Sequence, residues 1–268
     1  MRMDRGLLGA VAVAGMALGV GGLSAQQDRG PECRERWGGD AERACEVRQL
    51  GIDRAPGRLE VDGGMNGGVR VMGTDGNDVR IEVEVWAQAR SDARAQALMD
   101  EVRIITDGGR IRAEGPETGR RESWGASFWI WAPHRTDLRV ETLNGGITLD
   151  DLQGDLEFRA QNGGVRLSRL AGDVQGRTTN GGLHVELSGD EWRGQGLDVE
   201  TTNGGVRLEI PEGYSAELVT GTTNGGMDLD FPVTVSGRID RHIRATLGDG
   251  GPRVRVMTTN GGVRIQRH

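Results

Sequence analysis

Four sets of side chains in this chain of 268 residues have types and spacings that chemistry uses. Carboxylates crowd two points, Asp150, Asp151 and Asp155 at one and Asp75 and Asp78 at the other. Polysaccharide hydrolases and lyases need such groups clustered on one face, either as a carboxyl pair or as a calcium site beside a basic residue. Asp is equally ordinary at turns. No Gly-x-Ser-x-Gly elbow, His-Glu-x-x-His helix, Gly-Lys phosphate loop or Gly-Gly-x-Gly-x-Asp calcium repeat accompanies them. The expectation is a non-enzymatic chain with no catalytic residue, no metal and no cofactor.

The other three sets bind or link rather than react. Arg70, Arg166, Arg207 and Arg264 each stand four residues after an asparagine, as an anion-binding row would. Thr148, His184 and Asp228 hold that place in other copies, so a solvated face is the plainer reading. Trp124, Phe128, Trp129 and Trp131 hold nearly half of the ten aromatics within eight residues. Exposed indoles stack on sugars, which makes Trp124, Trp129 and Trp131 the candidate glycan-binding residues, with packing as the competing role. Cys33 and Cys45 are the only cysteines, none of the four histidines lies near them in sequence, and in an exported chain they would join as a disulfide.

The elements that would position these groups are set by a tripeptide. Asn-Gly-Gly recurs at Asn66, Asn144, Asn162, Asn180, Asn203, Asn224 and Asn260. Counting from each asparagine after the first, Leu138, Leu156, Val174, Leu197, Leu218 and Val254 lie six residues before it. Ile147, Val165, Leu183, Val206, Met227 and Val263 lie three residues after it, with charged or polar residues between. Two short strands of period two thus flank every copy. Identical register favours rungs piled in parallel over an antiparallel meander, although Asn-Gly also suits hairpins. Asn144, Asn162, Asn180, Asn203, Asn224 and Asn260 then form a structural amide ladder, roughly 4.8 Å per step, inside the corner, while the two glycines supply positive φ.

Composition fits a narrow aliphatic interior. Glycine accounts for 46 residues and the aromatics for only ten, too few for a large aromatic core. The predicted fold is all-β, a parallel β-solenoid with Asn-Gly-Gly corners and a small capping helix near its N-terminal end. Its expected domains are a signal peptide over 1–25, an N-terminal segment over 26–57 holding the disulfide, and the repeat domain over 58–268. Within 79–132 lie the cap helix, opened by Ser91 and apolar at Ala95, Leu98, Met99 and Val102, and the Trp-rich strand. The signal rests on Arg2 and Arg5 before an apolar Gly6–Leu23 run and on the small residues Ser24 and Ala25. Nothing after residue 25 would span a bilayer as a helix. Removing the signal leaves 31 arginines, with no lysine, against 39 carboxylates, a balance that argues against nucleic acid. The strand edge near His268 is expected to be uncovered and open to self-association.

Units such as Thr201–Leu208 and Thr258–Ile265, Thr-Thr-Asn-Gly-Gly-Val-Arg followed by Leu or Ile, resemble the DUF4097 class of bacterial adhesin-like β-strand-repeat proteins. The likeness runs from about Leu59 to Ile265. It implies a non-enzymatic exported β-solenoid of the cell envelope, periplasmic or at the cell surface, that binds a glycan or another envelope component. A self-assembling envelope scaffold is the alternative, and a polysaccharide-active β-helix enzyme a more distant one. No catalytic residues come with the resemblance.

Overall fold

Each alternating run becomes a strand, and each Asn-Gly-Gly becomes the bend between two of them. The structure is a computed structural model that describes residues 30–33, 42–229 and 241–268. The expected signal peptide lies outside the described residues. Every described strand belongs to one compact unit, Pro31–His268.

The N-terminal part holds β1 (Glu42–Ile52), β2 (Arg58–Asp62), β3 (Val69–Thr74), β4 (Val79–Ala89), α1 (Asp92–Glu101), β5 (Arg103–Asp107), β6 (Arg110–Glu114) and β7 (Ser123–Pro133). Paired strands follow: β8 (Asp137–Thr142) with β9 (Ile147–Asp150), β10 (Gln153–Asn162) with β11 (Val165–Ser168), and β12 (Ala171–Asn180) with β13 (Leu183–Glu186). Then come β14 (Gly196–Asn203) with β15 (Val206–Ile210), β16 (Ala216–Asn224) with β17 (Met227–Leu229), the single β18 (His242–Leu247), and β19 (Arg253–Asn260) with β20 (Val263–Arg267). One strand of each pair joins the first sheet, β1-β4-β7-β3-β9-β11-β13-β15-β20-β17, and the other joins the second, β18-β16-β19-β14-β12-β10-β8-β2-β6-β5. The protein is therefore all-β with one described helix and two ten-stranded, mostly parallel sheets.

Parallel register stacks like on like. Leu156 pairs with Leu138 on one side and Val174 on the other, and Val165 pairs with Ile147 and Leu183. These columns are fully buried and form the core between the sheets. Gly176 breaks its column because the ring of Phe158, on the neighbouring strand, already fills the space its side chain would need.

Two expectations about order fail. The rungs do not follow one another strictly along the chain: β19 and β20 insert between the β14/β15 rung and the β16/β17 rung. At the other end β6 and β7 pair outside β2 and β3, leaving the earlier rung one step inside. The strand that ends the chain, β20, is thus paired on both sides and offers no open edge. Antiparallel strands cover three of the four sheet ends, β4 and then β1 over β7, β5 over β6, and β18 over β16, while β17 has no outer partner among the described residues. Antiparallel-paired ends of this kind blunt the edge-to-edge growth that a regular parallel stack invites. Helix α1 starts at an Ser91 N-cap whose hydroxyl accepts from Arg94 N at 3.4 Å, and it packs on β4 and β1 through Ala95, Leu98 and Met99.

Candidate functional site

The repeated residues are spent on bonds between rungs. Asn162 Nδ2 donates to Asn144 Oδ1 at 2.8 Å, Asn180 to Asn162 at 2.8 Å, Asn203 to Asn180 at 2.9 Å, Asn260 to Asn203 at 2.8 Å and Asn224 to Asn260 at 2.8 Å. Asn144 donates to Asn66 Oδ1 at 3.3 Å, and Asn66 closes the series on the Trp124 carbonyl at 3.2 Å. These asparagines from Asn144 onward are exposed at the corner, not inside it as expected. The buried polar series is one the sequence reading passed over, the threonine two residues earlier. Thr142, Thr178, Thr201, Thr258 and Thr222 each donate through Oγ1 to the first-glycine carbonyl of the adjoining rung, at 2.7–2.8 Å. Its signal was the first of the two threonines in Thr-Thr-Asn-Gly-Gly.

The glycines also have a different reason from the one expected. None of the Asn-Gly-Gly glycines has positive φ. Instead a Cβ on the first glycine would collide with the first-glycine carbonyl of the adjoining rung, as Gly163 does with Gly145 and Gly204 with Gly181. Second glycines such as Gly164 and Gly182 are less tight, their nearest neighbour standing 3.5 Å from such a Cβ. They point outward beside the position four after the asparagine and leave the backbone bare there.

A groove of about 900 Å³ follows that bare strip across the first sheet, walled by Thr148, Arg166, His184, Arg207, Arg264 and Asp228. Parallel pairing sets Arg166 beside Thr148 and His184, and Arg207 beside His184 and Arg264. Arg207 Nε binds Glu209 at 2.6 Å, His184 Nε2 lies 3.1 Å from the same carboxylate, and Arg264 pairs with Asp228 at 3.0 Å. Arg166 has no carboxylate partner among the described residues. Burial, followed by the neighbouring Arg166, holds the His184 imidazole below its usual pKa, against the upward pull of Glu209.

The tryptophans do not share a surface. Trp124 has the parity of the buried Ala126, Phe128 and Ile130, whereas Trp129 and Trp131 point to the opposite face of β7. Trp131 is 6% exposed beneath the Arg80 guanidinium, 3.8 Å from its ring centroid, a cation–π contact. Trp129 is half-buried between Glu82 and Arg70 on the flanking strands. Trp124 donates from Nε1 to the Pro116 carbonyl at 2.9 Å and lines a separate cleft of about 550 Å³ with Met65 and Asn66. A further tryptophan not singled out from the sequence, Trp86, lies over Gly125 and under Arg43.

The carboxylates form no single cluster, although Asp75 and Asp151, one from each sequence group, stand 3.6 and 3.5 Å from opposite nitrogens of His134. Asp150 pairs with Arg169 at 2.6 Å, and burial raises its carboxyl pKa against that arginine. Asp155 instead lies 3.8 Å from Arg58. No group of three or more His, Cys, Asp or Glu among the described residues could hold a metal ion. Cys33 and Cys45 form a disulfide. No helix among the described residues is long and apolar enough to cross a membrane.

Residues 134–266 match the Toastrack DUF4097 family. That segment, 133 of the 268 residues, belongs to that family. The match begins after β7, so the parallel rungs from β8 carry it, a narrower span than the likeness from Leu59 expected from the sequence. Three solved structures are similar to this chain. A "putative cell adhesion protein" of Clostridium sporogenes is 9% identical, covering 85% of this chain and 100% of its own, with a TM-score of 0.42. A "putative adhesin" of Parabacteroides merdae is 11% identical, covering 82% and 95%, with a TM-score of 0.36. A "putative lipid binding protein" of Parabacteroides distasonis is 9% identical, covering 82% and 96%, with a TM-score of 0.29. Comparison with curated proteins gives no match.

Proposed function

We propose that this chain is a non-enzymatic, exported β-solenoid of the cell envelope that binds a glycan or another envelope component, as an adhesin does. The division of labour in each repeat carries the reading: asparagine, threonine and first glycine are occupied by inter-rung bonds and close packing, while the outward positions line an open groove on a rigid sheet. Binding residues set on a rigid scaffold and free of structural duty suit recognition without chemistry. Residues 1–25 act as the export signal, and residues 58–268 form the working repeat domain, with 26–57 closed on itself by the disulfide and joined to that domain by the pairing of β1 with β4. The candidate sugar-stacking ring on the groove side of the sheet is Trp129, since Trp131 lies beneath Arg80.

The test is a glycan array probed with the wild-type chain and with Trp129→Ala. Saturable binding of an envelope-type glycan supports the proposal, and no binding to any glycan or envelope extract defeats it. Assembly as a scaffold is the second reading, favoured by the outer side of β17, to which no described strand is paired. Light scattering on the purified chain separates the two, because a strict monomer removes the scaffold.

A further inference from the structure

The geometry points to a more specific ligand: we infer that the groove across β9, β11, β13, β15 and β20 binds a linear acidic polysaccharide, a chain of sugars bearing carboxylates. The inference rests on the glycan-binding reading above and adds to it a face, a direction and a charge.

Register supplies the direction. Arg166, His184, Arg207 and Arg264 occupy equivalent outward places on four successive strands, so their side chains repeat at the strand spacing, roughly 4.8 Å, across the sheet. Beside them Gly164, Gly182, Gly205 and Gly262 carry no side chain, which leaves a flat track running the same way. A ligand lying in the track crosses the strands and meets one donor group per rung.

Charge supplies the class. The chain carries a formal net charge of −7, yet the groove is lined by three arginines and a histidine against one carboxylate, Asp228. Guanidinium groups hold carboxylates through paired, charge-assisted hydrogen bonds. Arg166 is without a carboxylate partner among the described residues, and Arg264 shares Asp228 at an exposed position where a ligand carboxylate can compete. Glu209 is the counter-charge beneath Arg207 and His184, and it leaves the outer donors of Arg207 facing the groove. Burial first, and then the positive charge of Arg166 and Arg207, holds the His184 imidazole below its usual pKa despite the upward pull of Glu209, so the positive field of the row is felt along the groove.

The floor excludes an extended peptide. A strand added to a sheet needs free backbone donors and acceptors at an edge. Here they are already engaged, with Val165 N bonded to Gly182 O at 2.9 Å, Leu183 N to Gly205 O at 2.9 Å and Val206 N to Gly262 O at 2.8 Å. Recognition is left to side chains and to stacking on a smooth face, which suits sugar rings.

The experiment is calorimetric titration of the full chain with polygalacturonate oligomers, their methyl-esterified uncharged counterparts, and polyglutamate. Expected are saturable binding of polygalacturonate alone and a loss of about tenfold or more in Arg166→Gln/Arg207→Gln. Thr148→Glu, which leaves every arginine ion pair in place, gives a second loss that does not depend on the double variant's stability. The His184 imidazole pKa, read by NMR, rises when the oligomer binds. Absence of saturable binding, equal binding of the ester or of polyglutamate, or unchanged affinity in both variants overturns the inference. If the chain binds a neutral glycan and both variants keep that binding, the adhesin reading stands and the groove assignment falls. If no glycan of any charge binds, both fall.

Discussion

In the parallel rungs, the first glycine of each Asn-Gly-Gly lies against the backbone of the adjoining rung, whereas in the N-terminal end Gly115 lies under the ring of Trp124. Rung glycines are demanded by backbone approach, which nothing can relieve. Gly115 makes room for a large side chain, which can move or be replaced. Polar bonding differs in the same way. From β8 onward every rung repeats the asparagine bond and all but the β10/β11 rung the threonine bond, while the end uses single contacts such as Arg80 over Trp131 and Arg48 to the Met99 carbonyl at 3.1 Å. A repeat in sequence therefore marks where every residue answers to the next copy of itself, and irregular sequence marks where the stack must be stopped.

The largest effect should come from Gly204→Ala, whose Cβ would meet the Gly181 carbonyl. We expect a loss of about 3 kcal/mol or more in urea unfolding, as for severe overpacking. Gly57→Ala, with nothing within 4 Å, should be close to neutral. Equal losses at the two sites would break the comparison. Next is the coupled pair Phe158 and Gly176. Gly176→Val alone should cost about 1–3 kcal/mol through collision with the ring, and Phe158→Val together with Gly176→Val should recover part of it. A purely additive double-mutant cycle would show that adjoining rungs do not share that volume.

Thr201→Val should cost about 1–2 kcal/mol by removing a buried donor to the Gly181 carbonyl. Ala160 occupies the equivalent place on β10 without a hydroxyl, so Ala160→Thr should raise the unfolding midpoint by supplying the bond its rung lacks. Asn180→Ala, at the exposed corner, should cost less than Thr201→Val, about 1 kcal/mol. Should it cost more, the outer ladder would be the principal one.

The smallest effect concerns pH. The folded chain holds His184 below its ordinary value of 6.5, so the unfolded chain binds that proton more readily. Stability attached to the neutral imidazole is complete above the ordinary value and is lost as pH falls through the folded one. His184→Gln should flatten the slope of unfolding free energy against pH in that acidic window and leave it unchanged above neutrality.

From sequence alone, the repeat gave the strand pairs, their register and the inward columns, because period-two alternation and a fixed offset from each asparagine are local facts that parallel stacking copies from rung to rung. The helix and its Ser91 cap were equally local. Which rung lies beside which was not, since Thr-Thr-Asn-Gly-Gly fits any neighbour of its own kind. Only the folded chain places β19 and β20 inside β16 and β17, and so covers β20, the last strand. The tryptophans had the same ambiguity: alternation assigned Trp129 and Trp131 to one face of β7, but Arg80, on the distant strand β4, decides that Trp131 is covered. Rows across a sheet are assembled from residues distant in sequence, which is why the arginine groove could be suspected residue by residue and became a surface only when the strands were set side by side.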